Sequence, residues 1–160
     1  MTMNQKDLLP EALRAAYLAL HRHSDACFSK HGVTADQFVM LATLTRGTAL
    51  TQRELARRMA SDASTVRAML VLLERQGLVR RETHPTDSRA RTVELTFIGK
   101  RKFNQVWKAG ERIRAQIFNS MQPHESEILV RLLNKISETL NAKPPARIRL
   151  GHQQSLANKA

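Results

Sequence analysis

The sequence predicts a mainly α-helical fold with a small β-hairpin wing, a winged helix-turn-helix embedded between longer helices. Three observations carry that reading. Two short capped helices follow one another across residues 51–77, a turn-rich hairpin follows them directly, and amphipathic helical stretches flank the whole. No other small fold explains that order as simply.

The first helix is expected over residues 8–31, where Leu13, Ala16, Leu20, His23 and Cys27 recur at helical spacing and Gly32 offers a stop. Thr34 with Gln37 makes a capping box, and Val33 with Phe38 stands at the spacing of a hydrophobic staple. A second helix therefore begins at Thr34 and runs to about Arg46. The device repeats at once, with Thr51 paired to Glu54 and Leu50 to Leu55. This short helix reaches about Met59, and after a connection of about three residues Ser61 or Asp62 caps the next. That helix sets Val66, Met69, Leu70 and Leu73 inward and ends at Gly77. Residues 78–83 and 91–95 alternate as two strands around His84-Pro85-Thr86-Asp87-Ser88-Arg89-Ala90, a run of turn formers. One helix is expected from Thr96 to about Met121. A last helix opens on Pro123, carries Ile128, Leu129, Leu132, Leu133, Ile136 and Leu140, and ends at Pro144-Pro145.

The expected organisation is a single domain over residues 1–145. Residues 1–47 supply N-terminal helices, 48–95 the winged unit, 96–142 C-terminal dimerisation helices, and 146–160 a basic flexible tail. The flanking helices carry apolar stripes that a lone winged unit cannot cover, so a homodimer is expected.

Charge narrows the function. The formal net charge is +12, and residues 51–102 hold twelve basic groups against six acids. Residues 143–160 add four more cations and no acid. The other two segments are near neutral. Positive charge concentrated in the middle of a chain is the footprint of a phosphate-binding module. At 100° per residue, Ser64, Ala68, Val71 and Arg75 lie opposite the buried face of the second short helix, with Thr65 and Arg67 on its flanks. That face holds small, hydroxyl and cationic side chains and no carboxylate. Arg67 can reach guanine O6 and N7, and Ala68 and Val71 can touch thymine methyls. Arg89 at the wing tip and Arg91 on the return strand suit a minor groove, with Asp87 holding the loop. Double-stranded DNA is the partner this pattern implies. The tail cations Lys143, Arg147, Arg149 and Lys159 suit flanking phosphates.

Other classes fit less well. The one cysteine rules out an internal disulfide, and no apolar run approaches membrane-spanning length. The first residues hold Lys6, Asp7, Pro10 and Glu11 where a signal peptide would be apolar, so no membrane and a cytoplasmic location are expected. No Gly-rich phosphate loop, His-Glu-x-x-His or nucleophile elbow is present, so no enzyme and no cofactor are expected. His23, Cys27 and His31 fall at i, i+4 and i+8, a spacing that could ligate zinc or merely pack. No fourth ligand stands nearby in sequence, and no metal is expected. A winged-helix protein scaffold is a further alternative, though it would need neither the carboxylate-free face nor the cationic wing.

The stretch Leu50–Lys102 closely resembles the multiple antibiotic resistance regulator (MarR) family of bacterial transcription factors. The resemblance rests on Leu50-Thr51-Gln52-Arg53-Glu54-Leu55-Ala56, Ser64-Thr65-Val66, and Leu73-Glu74-Arg75-Gln76-Gly77-Leu78-Val79-Arg80-Arg81. Asp87-Ser88-Arg89-Ala90 and Leu95-Thr96-Phe97-Ile98-Gly99 complete it, and Gly32–Phe38 adds support upstream. It implies a homodimer with interlocked terminal helices, reading a pseudo-palindromic operator. It also implies a repressor released by a small, commonly aromatic or phenolic effector bound between the dimerisation helices and the DNA-binding unit. Ser64, Thr65 and Arg67 then match recognition contacts, and Arg89 the wing contact. Ala68 stands where many members carry arginine, which moves the expected base contact to Arg67. Phe97-Ile98 replaces a usually charged pair and is expected to add apolar packing. Tyr17, His21 and Trp107 are the expected pocket residues, as ring surfaces for a phenolic ligand. Some members oxidise a cysteine, so Cys27 is a second sensor candidate, against its plainer role as a small buried hydrophobe.

Overall fold

A computed structural model describes residues 4–47, 50–87 and 90–142. They divide between two compact units, with the boundary after Asn119. The first unit opens with helix α1 (Gln5–Phe28), extended by a 3-10 turn (Ser29–His31) that stops at Gly32. Gly32 has φ +72°, a left-handed value that ordinary side chains resist. Helix α2 (Ala35–Thr45) starts on the expected capping box, with Gln37 N–H donating to Thr34 Oγ1 at 3.1 Å and Thr34 N–H to Gln37 Oε1 at 3.0 Å.

Strand β1 (Leu50–Thr51) leads directly into α3 (Gln52–Arg58), where Thr51 N–H donates to Glu54 Oε2 at 2.7 Å. Four residues then turn the chain into α4 (Ala63–Arg75). Within that turn Ala60 takes φ +49°, a conformation that costs a side-chain-bearing residue about 1 kcal/mol. Strands β2 (Val79–Thr83) and β3 (Arg91–Leu95) pair antiparallel, with Val79 opposite Leu95 and Thr83 opposite Arg91. The sheet has order β1-β3-β2, Leu50 facing Val93. The core of this unit is aliphatic: Met40, Leu41, Leu55, Val66, Leu70, Leu73 and Val106 are fully buried.

The structure corrects several expectations. Helix α1 begins at Gln5 rather than residue 8, and its last turn is 3-10. Ala16, Leu20 and His23, expected on its inner face, are exposed in the single chain, while Ser24 and Phe28 are buried. Strand β1 was not expected. The helix after the wing is broken into α5 (Phe97–Ala109) and α6 (Glu111–Asn119). A Cβ at Gly110 would lie 3.1 Å from the Phe28 ring, so a larger residue where the two helices join would press on that ring. Phe97 and Ile98 do not pack inward; they are 74% and 58% exposed.

The second unit contains α7 (Pro123–Asn141), with Pro123 in its first turn as expected. Ile128, Leu129, Leu132, Leu133 and Leu140 are all exposed along it. Among the described residues no helix is long and apolar enough to cross a membrane. Pro144-Pro145 and the basic tail lie outside the described residues.

One contact binds the wing to the helices. A Cβ at Gly99 would sit 1.9 Å from the Leu78 carbonyl oxygen, which is backbone and cannot step aside. Gly99→Ala should therefore destabilise the fold by roughly 3 kcal/mol, read as a lower urea midpoint at unchanged slope.

Candidate nucleic-acid interface

Helix α4 projects from the turn because its first N–H groups have a dedicated acceptor. Asp62 Oδ1 accepts from Ser64 N–H and from Thr65 N–H, each at 2.9 Å. The Ser64 hydroxyl also donates to Asp62, and Thr65 Oγ1 donates to Asp62 Oδ2 at 2.6 Å. The hydroxyl of Ser64 first, then that of Thr65 and the backbone N–H groups, hold the Asp62 carboxyl far below the usual carboxylate range. The cap is Asp62, not Ser61. It holds both hydroxyl protons, so Ser64 and Thr65 offer lone pairs outward while the cap stands.

Beyond the cap, Ser64, Arg67, Ala68 and Arg75 are exposed. Val71 is half-buried, and Leu72, which periodicity did not single out, is 47% exposed. The outer face is not free of acid. Glu74 stands two turns after Arg67 on the same side, its carboxylate 3.3 Å from Arg81 Nε without hydrogen-bond alignment. Arg91 is exposed at the start of β3, and Asp87 closes the wing turn by accepting Ala90 N–H at 3.0 Å through its backbone carbonyl. Arg89 lies outside the described residues.

Thr65 also faces a second feature. With Met59, Ala60, Ser61 and Met69 it forms one wall of a cavity of about 620 Å³, a size suited to small ligands. Tyr17, His21 and Trp107 line the same cavity, together with Phe28, Phe38 and Ile113. The rings are arranged in contact: Phe28 and Phe38 have centroids 4.7 Å apart, and Trp107 lies 5.8 Å from Phe103. Sequence reasoning missed Asp36 and Arg114, which also line it. Of the other candidates, the Cys27 thiol reaches the Ala109 carbonyl at 3.4 Å and packs against the core. His23 is exposed, and His31 lies past the last α-helical turn, so the three do not form one stripe.

A family model described as MarR family matches residues 31–90, the segment from the 3-10 turn through the wing. The transcriptional regulator HosA of Escherichia coli O157:H7 is 27% identical over 107 residues, 67% of this chain and 79% of that protein. Wild-type MarR from E. coli in its apo form superposes with a TM-score of 0.68 at 25% identity, covering 80% of this chain and 96% of that one. Over residues 31–90 the chain is similar to the MarR family. A mutant MarR complexed with operator DNA matches with a TM-score of 0.75 at 24% identity, over 85% of this chain and 98% of that one. Curated relatives of the chain are transcriptional regulators by name.

The cap gives this subsection its test. Asp62 has a depressed native pKa, so its contribution is complete above the unfolded value of about 3.9 and is lost as pH falls toward the lower native one. The stability gap between the unsubstituted chain and Asp62→Ala should therefore be widest near neutrality and shrink on acidification, as followed by urea unfolding at successive pH values.

Proposed function

We propose that this chain is a cytoplasmic, sequence-specific DNA-binding transcription repressor that reads a pseudo-palindromic operator as a homodimer and is released by a small-molecule effector. The observation that carries the reading is the outer side of α4. A helix fixed by Asp62 at one end and buried through Val66, Leu70 and Leu73 leaves Arg67, Ala68 and Arg75 exposed on a rigid support. Such a face suits the major groove, where arginine meets guanine O6 and N7 and small apolar groups meet thymine methyls. Arg91, and Arg89 beyond the described residues, would serve the flanking minor groove.

Dimerisation is supported by uncovered apolar surface. Leu8 and Leu9 at the start of α1, Ile117 and Phe118 at the end of α6, and Ile128, Leu129, Leu132, Leu133 and Leu140 of α7 are exposed in the single chain. Apolar area of that extent on several helices marks an interface. The effector reading is supported by the position of the cavity, since Thr65 and Met69 of α4 form part of its wall. Relatives point the same way by name: MdtR of Bacillus subtilis, 25% identical over 91% of its length, is a transcriptional repressor.

Two measurements test this. Sedimentation at micromolar concentration should give a dimer, and a folded monomer would remove the two-half-site mode of binding. Arg67→Ala should weaken operator binding by about 1–3 kcal/mol and relax base preference at one position in each half-site. An equal loss on every duplex would mean that Arg67 touches only phosphate.

A further inference from the structure

The cavity beside α4 carries a charge that the rest of the chain does not. The chain has a net charge of +12, yet His21, Asp36 and Arg114 are the acidic and basic residues on the cavity wall apart from the Tyr17 phenol. Arg114 is already committed. Its Nη2 donates to Glu111 Oε2 at 2.5 Å and to the Trp107 carbonyl at 2.7 Å, and its guanidinium lies 3.9 Å over the Trp107 ring. Glu111 thus offsets its charge, and those donors already have protein acceptors. His21 stands between two carboxylates, with Nδ1 3.4 Å from Asp25 Oδ2 and Nε2 3.5 Å from Asp36 Oδ2. The other oxygen of Asp25 accepts Ala35 N–H at 2.7 Å.

Asp25 and Asp36 flank His21 and Glu111 pairs Arg114, so this cluster, of whose three carboxylates only Asp36 lines the cavity, carries two net negative charges, or one when the imidazole is protonated. The N-terminus of α2 offsets about half a charge at most. A negative balance remains under either condition. The remaining wall is aromatic and apolar, including Tyr17, Phe38, Trp107, Met59 and Met69. Ring faces attract cations, and Arg114 lying on Trp107 is the chain's own instance of it. An anion entering here would meet Asp36 and find the Arg114 Nη2 donors already engaged.

We infer that this cavity binds a hydrophobic organic cation, an ammonium or phosphonium bearing aromatic groups, with Asp36 as its countercharge. The cation's regulatory effect rests on the proposed repressor function, whereas its binding does not. The class departs from the phenolic effector that family resemblance implies. An aromatic cation satisfies both halves of the wall at once: its rings replace water against Phe38 and Trp107, and its charge restores neutrality beside Asp36. Because Thr65 and Met69 belong to both the cavity wall and α4, an occupant touches the DNA-facing helix directly.

Tetraphenylphosphonium and tetraphenylborate, nearly equal in size and opposite in charge, make the test. Trp107 is the only tryptophan, so its fluorescence quenching reports occupancy with no DNA present. The phosphonium should quench saturably and bind at least roughly tenfold more tightly than the borate, although a +12 chain would otherwise favour the anion. Asp36→Asn should cost the phosphonium about tenfold and strengthen the borate, with an unaltered circular dichroism spectrum, because Asp36 is exposed. Borate binding as tight as phosphonium binding in the unsubstituted chain would overturn the inference, and so would an equal loss for both ions in the variant. A parallel operator titration keeps the two readings apart. Failure to bind any operator would refute the repressor reading, while the quenching result alone decides the ligand class.

Discussion

The approach of Gly99 to the Leu78 carbonyl is the constraint on which the rest of the first unit depends. Leu78 follows the end of α4, and Gly99 lies in the first turn of α5, so contact between them closes a loop containing the whole wing. Thr96 completes the junction. Its N–H donates to the Leu78 carbonyl at 3.1 Å, its hydroxyl donates to the Gly77 carbonyl at 2.6 Å, and Gly99 N–H donates back to that hydroxyl at 2.9 Å. One threonine thus caps α5 and satisfies the carbonyls left open where α4 ends. With Leu73, Leu78, Val79, Val93 and Leu95 all buried around it, the helix, hairpin and following helix move as one body. A side chain at position 99 would separate exactly the elements that must stay in register for a helix and a wing to engage neighbouring grooves.

Helix α4 has three neighbours with different demands on it. Val66, Leu70 and Leu73 bind it to the core, Arg67 and Arg75 look outward, and Thr65 and Met69 form a wall of the cavity. A ligand shifts a conformational equilibrium only by its difference in affinity for the two states. Under the proposed function the cavity would meet that condition through the turn before α4, where Met59, Ala60 and Ser61 line it and Ala60 holds a left-handed backbone. Movement there would shift the Asp62 cap, and with it the orientation of the Ser64 and Thr65 hydroxyls. That is a physical route from an occupied cavity to a displaced α4.

Much of this was legible in the sequence because it is local. The Thr34–Gln37 and Thr51–Glu54 boxes, the hairpin and the Pro123 start follow from residues within a few positions of each other. Features that depend on distant partners were not legible. Strand β1 is only two residues long and exists through its pairing with Val93 and Thr92. The break at Gly110 lies against the ring of Phe28, a neighbour distant in sequence. The cavity shows the same division. Tyr17, His21 and Trp107 could be picked out as rare ring-bearing residues on the flanking helices, and the structure brings them to one wall. Asp36 reads in sequence as an ordinary first-turn acid, and its place opposite His21 follows only from the packing of α1 against α2. Periodicity likewise overstated the positive character of α4's outer side, since Glu74 lies in line with Arg67 and is recognisable as an ion-pair partner only once Arg81 is placed beside it.

The central claim is that α4 reads the major groove from two symmetry-related positions, and guanine N7 methylation interference addresses it most directly. The full chain would first select its preferred duplex from random sequence, and that duplex would then be methylated sparsely and partitioned by binding. The account predicts interference at a guanine in each of two half-sites, with centres about one helical turn, or roughly 10 base pairs, apart, because Arg67 needs N7 free in both. Binding indifferent to N7 methylation would contradict it, and would place the contacts on phosphate or in the minor groove instead.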